Sequence, residues 1–166
     1  MIDRDEIRQC LGRYARGVDR LDSDLILSAY HQDATDDHGS FVGSPTEFVK
    51  WYLPIARATA VVHHHYLANH FCELIGDVAH TETYYLYAAE SAAEPNHRLH
   101  GGRYIDRFER REGRWAIAQR VHVAEWSGAL TDLPQPPTPP RRAGTSARNR
   151  TDSSYWAEIT LRNDSV

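Results

Sequence analysis

Near residue 60 the hydrophobic pattern of this chain changes period, and that change limits its fold more than any other feature. Before it, apolar residues recur every three or four positions; after it, they alternate. Residues 3–20 read as an amphipathic helix, with Ile7, Leu11, Tyr14 and Val18 on one face and Asp19 on the flank of that stripe. The stretch "LDSDLILSAYHQ" predicts a second, shorter helix capped by Asp22 or Ser23. "DATDDHGSFVG" predicts an extended segment ending in a glycine turn. "SPTEFVKWYLPIARAT" opens with a capping box, Ser44 with Glu47, and places Pro45 at the first helical position. Phe48, Trp51, Tyr52 and Ile55 give that helix an apolar face, and Pro54 is expected to kink it or end its regular part. Long strand-like runs follow at about 60–75, 78–90, 97–110 and 114–126. Gly76-Asp77, the "EPN" loop near Pro95, and Glu112-Gly113 separate them as hairpin turns. Helices first and a strand meander after predict an α+β domain, its helices packed in a curved antiparallel sheet.

At 166 residues and 41% hydrophobic, the chain suits one domain with a real core. A net charge of −4 with both signs spread along the chain excludes a basic nucleic-acid face. The apolar runs are too short to span a membrane, and "MIDRDEIRQC" lacks the apolar core of a signal peptide. Cys10 and Cys72 follow no metal spacing and read as reduced thiols, so a cytoplasmic protein is expected. Past Leu133, "PQPPTPPRRAGTSARNR" reads as a disordered or polyproline-like tail. The later Tyr155, Trp156 and Ile159 suggest that its end docks on something, such as a neighbouring subunit.

The stretch "AVVHHHYLANHF" holds His63, His64, His65 and His70. On a strand, His63, His65, Leu67 and Asn69 share one face, and His64, Tyr66, Ala68 and His70 the other. His63-x-His65 is a workable spacing for two metal ligands. However, the nearest glutamate, Glu73, is eight residues past His65, and nothing in the spacing demands His100, His122 or Asp36 as a third ligand, so no metal is expected. A histidine facing the helices needs a polar partner, and Asp19 is a candidate. Parity puts Asp36 with His38, His100 with Tyr104, and Arg120 with His122. Trp51 and Tyr52 read as helix-face core or an apolar pocket wall. There is no phosphate loop and no nucleophile elbow, so no cofactor is expected. The two glycines of "HGGRY" read as allowing close strand packing.

The succession "RYARGVDRLD", "YHQDATDDHGSFVG", "HHHYLANHF" and "GGRYIDRFERREGRWAIAQRV" resembles the SnoaL-like branch of the nuclear transport factor two-like superfamily, over roughly residues 1–130, leaving 131–166 as the tail. The resemblance implies a cone-shaped α+β barrel in which a strongly curved antiparallel or mixed sheet encloses a pocket. The catalytic pattern is similar to that of hexachlorocyclohexane dehydrochlorinases and, more distantly, scytalone dehydratases. It implies an Asp19–His65 pair acting as general base and Arg120 stabilising an anion on the substrate. The plainer reading of Arg120 is a salt bridge to Asp106 or Glu109. Tyr14, Asp36, His38, Trp51, His63, Asn69, His100, Tyr104 and His122 would line the pocket. The implied activity is a cofactor-free lyase, dehydratase or dehydrohalogenase, on an apolar, ring-containing small molecule. An isomerase or polyketide-type cyclase and a non-catalytic binding protein are the alternatives. A homo-oligomer, dimer or trimer, is implied by the same likeness.

Overall fold

The computed structural model describes residues 2–93, 97–130 and 146–155. Helix α1 (Ile2–Arg20) buries the stripe Ile7, Leu11, Tyr14 and Val18. It ends where Leu21 takes a φ of 53°, a left-handed cap that costs a non-glycine residue about 1–2 kcal/mol. That turn lets Asp22 cap α2 (Ser23–Leu27), its carboxylate accepting the Leu25 N–H at 3.1 Å. α2 has five residues and is shorter than the sequence predicted. Tyr30 and His31 already belong to strand β1 (Tyr30–Asp37), because Tyr30 pairs with Ile117 of the last strand. α2 lies directly on α1: a Cβ at Gly17 would meet the backbone nitrogen of Ile26 at 2.7 Å.

After the short β2 (Val42–Gly43), helix α3 (Pro45–Thr59) opens with the expected capping box. It also runs on past Pro54, so of the two expectations for that proline, a kink or an end to the regular part, the second does not occur. Pro54 is on the exposed side, so the Lys50 carbonyl it leaves unpaired can be hydrated.

Strands β3 (Ala60–Ile75), β4 (Val78–Ser91), β5 (His97–Arg111) and β6 (Arg114–Leu130) follow the predicted runs closely. Two-residue turns join β3 to β4 and β5 to β6, with positive φ at Gly76, Glu112 and Gly113. The Pro95 loop lies outside the described residues. The curved, unclosed sheet has the order β2-β1-β6-β5-β4-β3. It is mixed, because β1 runs parallel to β6 while the other pairs are antiparallel. At Gly102 a Cβ would sit 2.0 Å from the Val123 carbonyl, which gives "HGGRY" its close-packing role.

The inner face of the sheet and the helices bury one core. Cys10 and Cys72 are free and buried, and burial pushes the Cys10 thiol up to about 11. Residues 146–155 lie on the N-terminal helices: Arg20 meets Asp152 at 3.3 Å, and the Tyr155 hydroxyl donates to Asp22 at 2.7 Å. Trp156, Ile159 and the proline-rich stretch lie outside the described residues. Among the described residues no helix is long and apolar enough to cross a membrane.

Candidate active site

The concave side of the sheet and helix α3 enclose a cavity of about 340 Å³. Tyr14, His38, Trp51, His65, His100, Tyr104 and His122 all line it. So do Tyr52, for which a pocket wall was one of two readings, and residues that the sequence did not place in the site: Ser40, Ile55, Ala56, Thr59, Tyr85, Tyr87 and Arg98. Pairing explains the two tyrosines, since His65 lies opposite Tyr87 and Leu67 opposite Tyr85 on the inner face. A reading of β4 parity alongside β3 would have found them.

Asp19 stands behind His65. Its carboxylate accepts the His65 backbone N–H at 3.1 Å and lies 2.7 Å from His65 Nδ1. The carboxylate can only accept there, so Nδ1 carries the proton. Nε2 makes no hydrogen bond among the described residues and is the nitrogen left for a ligand. Two contacts hold the pair in register. The end of α1 sets Asp19, and the β3–β4 ladder sets His65.

The neighbouring histidines are held neutral. His63 is fully buried; its Nε2 donates to the Val18 carbonyl at 2.9 Å, and Nδ1 accepts from Arg148 at 3.1 Å. Burial first, then His65 and Arg148, push it down to about 4. His122 meets the Tyr85 hydroxyl at 2.6 Å and is also pushed down to about 4, by burial and then by His38 and Arg120. Burial lowers His100 as well. Asp19, His63 and His65 do bring their ligand atoms within 4.8 Å of one another. Both ring nitrogens of His63 are committed, however, and the Arg148 guanidinium stands beside it. That environment repels a cation instead of holding one.

On the far side of the cavity, His38 Nδ1 lies 2.7 Å from Asp36 Oδ1. Asp36 is fully buried, and its other oxygen accepts the Tyr30 hydroxyl at 2.6 Å. Burial works to raise the Asp36 carboxyl, but His38, Arg120 and Tyr30 together hold it below the usual carboxylate range. His38 Nε2 faces the Tyr14 hydroxyl at 3.4 Å.

Arg120 occupies a different place from the one expected of an anion binder. It is fully buried and does not line the cavity. Its guanidinium grips Asp106 with two 2.7 Å hydrogen bonds, and it stacks 4.2 Å from the rings of Tyr14 and Tyr104. This is the salt bridge of its plainer reading. Asn69 also departs from expectation, being exposed on the outer side. A bulge between Leu67 and His70 adds one residue to β3 and reverses the parity beyond it. His70 therefore turns inward, its Nδ1 2.9 Å from the Thr83 hydroxyl. Arg148, which touches His63, comes from the tail, and no local spacing ties it to β3.

Comparison with known proteins places this geometry in a family. Residues 1–121 match the model of the SnoaL-like domain. The crystal structure of LinA superposes with a TM-score of 0.75 at 18% identity, over 82% of this chain and 95% of that one. The LinA-type3 hexachlorocyclohexane dehydrochlorinase from Novosphingobium barchaimii gives 0.71 at 17%, over 82% and 96%. A candidate scytalone dehydratase from Novosphingobium aromaticivorans gives 0.70 at 13%, over 85% and 96%. At these identities the likeness speaks for the fold, the nuclear transport factor two-like cone. A search of curated protein sequences gives no significant match.

Proposed function

The chain belongs to the SnoaL-like domain family, and from that premise we propose that it is a cofactor-free lyase of the dehydratase or dehydrohalogenase type. The observation that carries this reading is the 2.7 Å contact between Asp19 and His65 Nδ1 at the wall of an aromatic cavity. Asp19 fixes the tautomer in which Nε2 is unprotonated and stabilises the imidazolium that forms when Nε2 takes a proton. Imidazole is a modest base, near pKa 6.5 when free. The carbon acid it serves therefore has its C–H next to a carbonyl, or anti to a good leaving group. The cavity walls of Trp51, Tyr52, Tyr85 and Tyr87 favour an apolar, ring-containing small molecule of about the size of a bicyclic ketone. Arg120, bound to Asp106 beneath Tyr14 and Tyr104, supports those two walls and is assigned a positioning role.

The isomerase or cyclase reading uses the same base and differs only in what happens to the carbanion. A binding protein would not need the base. 3-Chloro-1-tetralone, which loses hydrogen chloride to give 1-naphthol, is a suitable probe. Asp19→Asn and His65→Gln are expected to lower its turnover by about a hundred- to ten-thousand-fold while the circular dichroism spectrum stays native. Full turnover in either folded variant would sink the dyad.

The outer sheet face exposes Tyr66, Phe71, Ile75 and Trp126. That apolar surface supports a homo-oligomer, dimer or trimer, and light scattering reading a monomer would refute it.

A further inference from the structure

Residues 146–155 lie beyond the stretch, 1–121, that matches the family, yet one of their side chains reaches the back of the dyad. A turn around Asp152 holds the segment. The Asp152 carboxylate accepts the Ala147 and Ser154 N–H groups at 2.8 and 3.0 Å and meets Arg20 at 3.3 Å. Arg150 adds contacts to Asp22 at 3.4 Å and Asp24 at 3.2 Å. So anchored, the segment carries Arg148 to the C-terminal end of α3, where a cation suits the helix dipole. Its guanidinium donates to the Ala56 carbonyl at 2.8 Å, to the Ala60 carbonyl, and to His63 Nδ1 at 3.1 Å.

A guanidinium keeps its protons and can only donate, so His63 Nδ1 accepts and Nε2 carries the one proton of that ring. The Nε2–H goes to the carbonyl of Val18, the residue before Asp19, at 2.9 Å. Nε2 also lies 3.8 Å from Asp19 Oδ1, the oxygen that holds His65 Nδ1 at 2.7 Å. His63 is therefore a rival for the charge that His65 uses. While His63 is neutral that charge belongs to His65; an imidazolium at 3.8 Å would draw it away. The groups packed against the His63 ring come from four other elements. They are Val18 and Asp19 of α1, Tyr52 of α3, Tyr87 of β4 and Arg148 of the tail, besides His65 on its own strand. Burial, His65 and Arg148 oppose protonation of the ring, whereas the Val18 carbonyl and Asp19 favour it. Burial keeps both tyrosines uncharged.

We infer that Arg148 is a positioning residue for the base: it holds His63 neutral in its Nε2–H tautomer and so reserves the Asp19 carboxylate for His65. This rests on the reading of His65 as the base. Neither His63 nor Arg148 lines the cavity, so both act through Asp19 and not on the substrate. A tail outside the family domain thereby extends the working range of the base toward acid.

The test follows turnover of 3-chloro-1-tetralone from pH 5 to pH 8 in wild type, Arg148→Gln, Arg148→Lys, His63→Gln and the Arg148→Gln/His63→Gln double variant. Nitrogen-15 NMR of the histidine rings is read on the same folded proteins. In wild type the acid limb of kcat/KM should record one proton, that of His65. In Arg148→Gln the amide oxygen can accept from a protonated Nδ1, so His63 takes up a proton as pH falls through about 6.5. The limb should then steepen toward two protons, with kcat/KM about tenfold below wild type at pH 5.5 and within about threefold of it at pH 8. The His63 ring should show the neutral Nε2–H signature at pH 5.5 in wild type and titrate in Arg148→Gln. Arg148→Lys, which keeps the charge, should keep the wild-type slope. In the His63→Gln background no ring is left to titrate there, and Arg148→Gln should leave the slope unchanged. Equal losses at pH 5.5 and pH 8, a His63 ring that stays neutral in Arg148→Gln, or steepening that persists in the double variant would overturn the assignment and leave the base intact. Wild type inactive on the probe, or His65→Gln fully active, would overturn the base reading and this inference with it.

Discussion

At the residue scale, the cavity sorts its histidines by what stands behind each ring. His65 and His38 have carboxylates at Nδ1; His63 and His122 have a carbonyl and a phenol, and stay neutral. This has a consequence for stability. His63 and His122 are each lowered to about 4, chiefly by burial, whereas an unfolded histidine titrates near ~6.5. Between those values the unfolded chain binds protons that the folded chain refuses. Their contribution is therefore fully present above about pH 6.5 and is lost as pH falls toward about 4, at up to about 1.4 kcal/mol per pH unit for each ring. The buried carboxylate Asp36, held low, acts in a separate window below about pH 4. Urea unfolding at pH 7 and pH 5 should show wild type losing more stability than the His63→Gln/His122→Gln double variant. Equal losses would mean that those rings are not held neutral by the fold.

At the element scale, much of the molecule was readable from periodicity. The 3.6-residue stripe of α1, the capping box of α3 and the two-residue turns each have a local cause, and each element formed where that cause lay. The Asp19–His65 pairing was legible in the same way, once a histidine on the helix-facing side of β3 was required to have a partner. The misreadings arose where one element answers to another. The bulge after Leu67 lets a sixteen-residue strand follow the curvature, and one extra residue moved Asn69 outside and His70 inside. Arg120 had two readings, an anion binder or a salt bridge to Asp106 or Glu109, and the ladder pairing that sets Asp106 directly opposite gives it the salt bridge. Asp36 and His38 were placed on one face by parity, but the Tyr30 hydroxyl on Asp36 and the Tyr14 hydroxyl at His38 are contacts that parity does not reveal.

Gly17 is a further case of contact between elements. Its role comes from α2 resting on α1, with a Cβ meeting backbone at 2.7 Å. Gly17→Ala gains helix propensity but forces the two helices apart, for a net loss of roughly 1–3 kcal/mol. Calorimetry showing an unchanged or raised Tm would contradict that packing.

At the scale of the whole molecule, one architectural fact makes the site: a sheet curved enough for strands near its two ends to face one cavity. α1 supplies Asp19 and Tyr14, β3 supplies His65, and the segment after β1 supplies His38. The residues 146–155 that rest on α1 and α2 add Arg148 behind His63, so the back of the site includes the tail. The central claim is that this cone uses Asp19 and His65 to take a proton from carbon. Its most direct test needs no leaving group. In deuterium oxide, the C2 protons of 1-tetralone exchange with solvent as they are abstracted, and proton NMR follows their loss. Wild type should accelerate this exchange well above buffer, and His65→Gln and Asp19→Asn should each reduce the acceleration by at least about a hundred-fold. Exchange no faster than buffer with folded wild type, or undiminished in His65→Gln, would contradict the account.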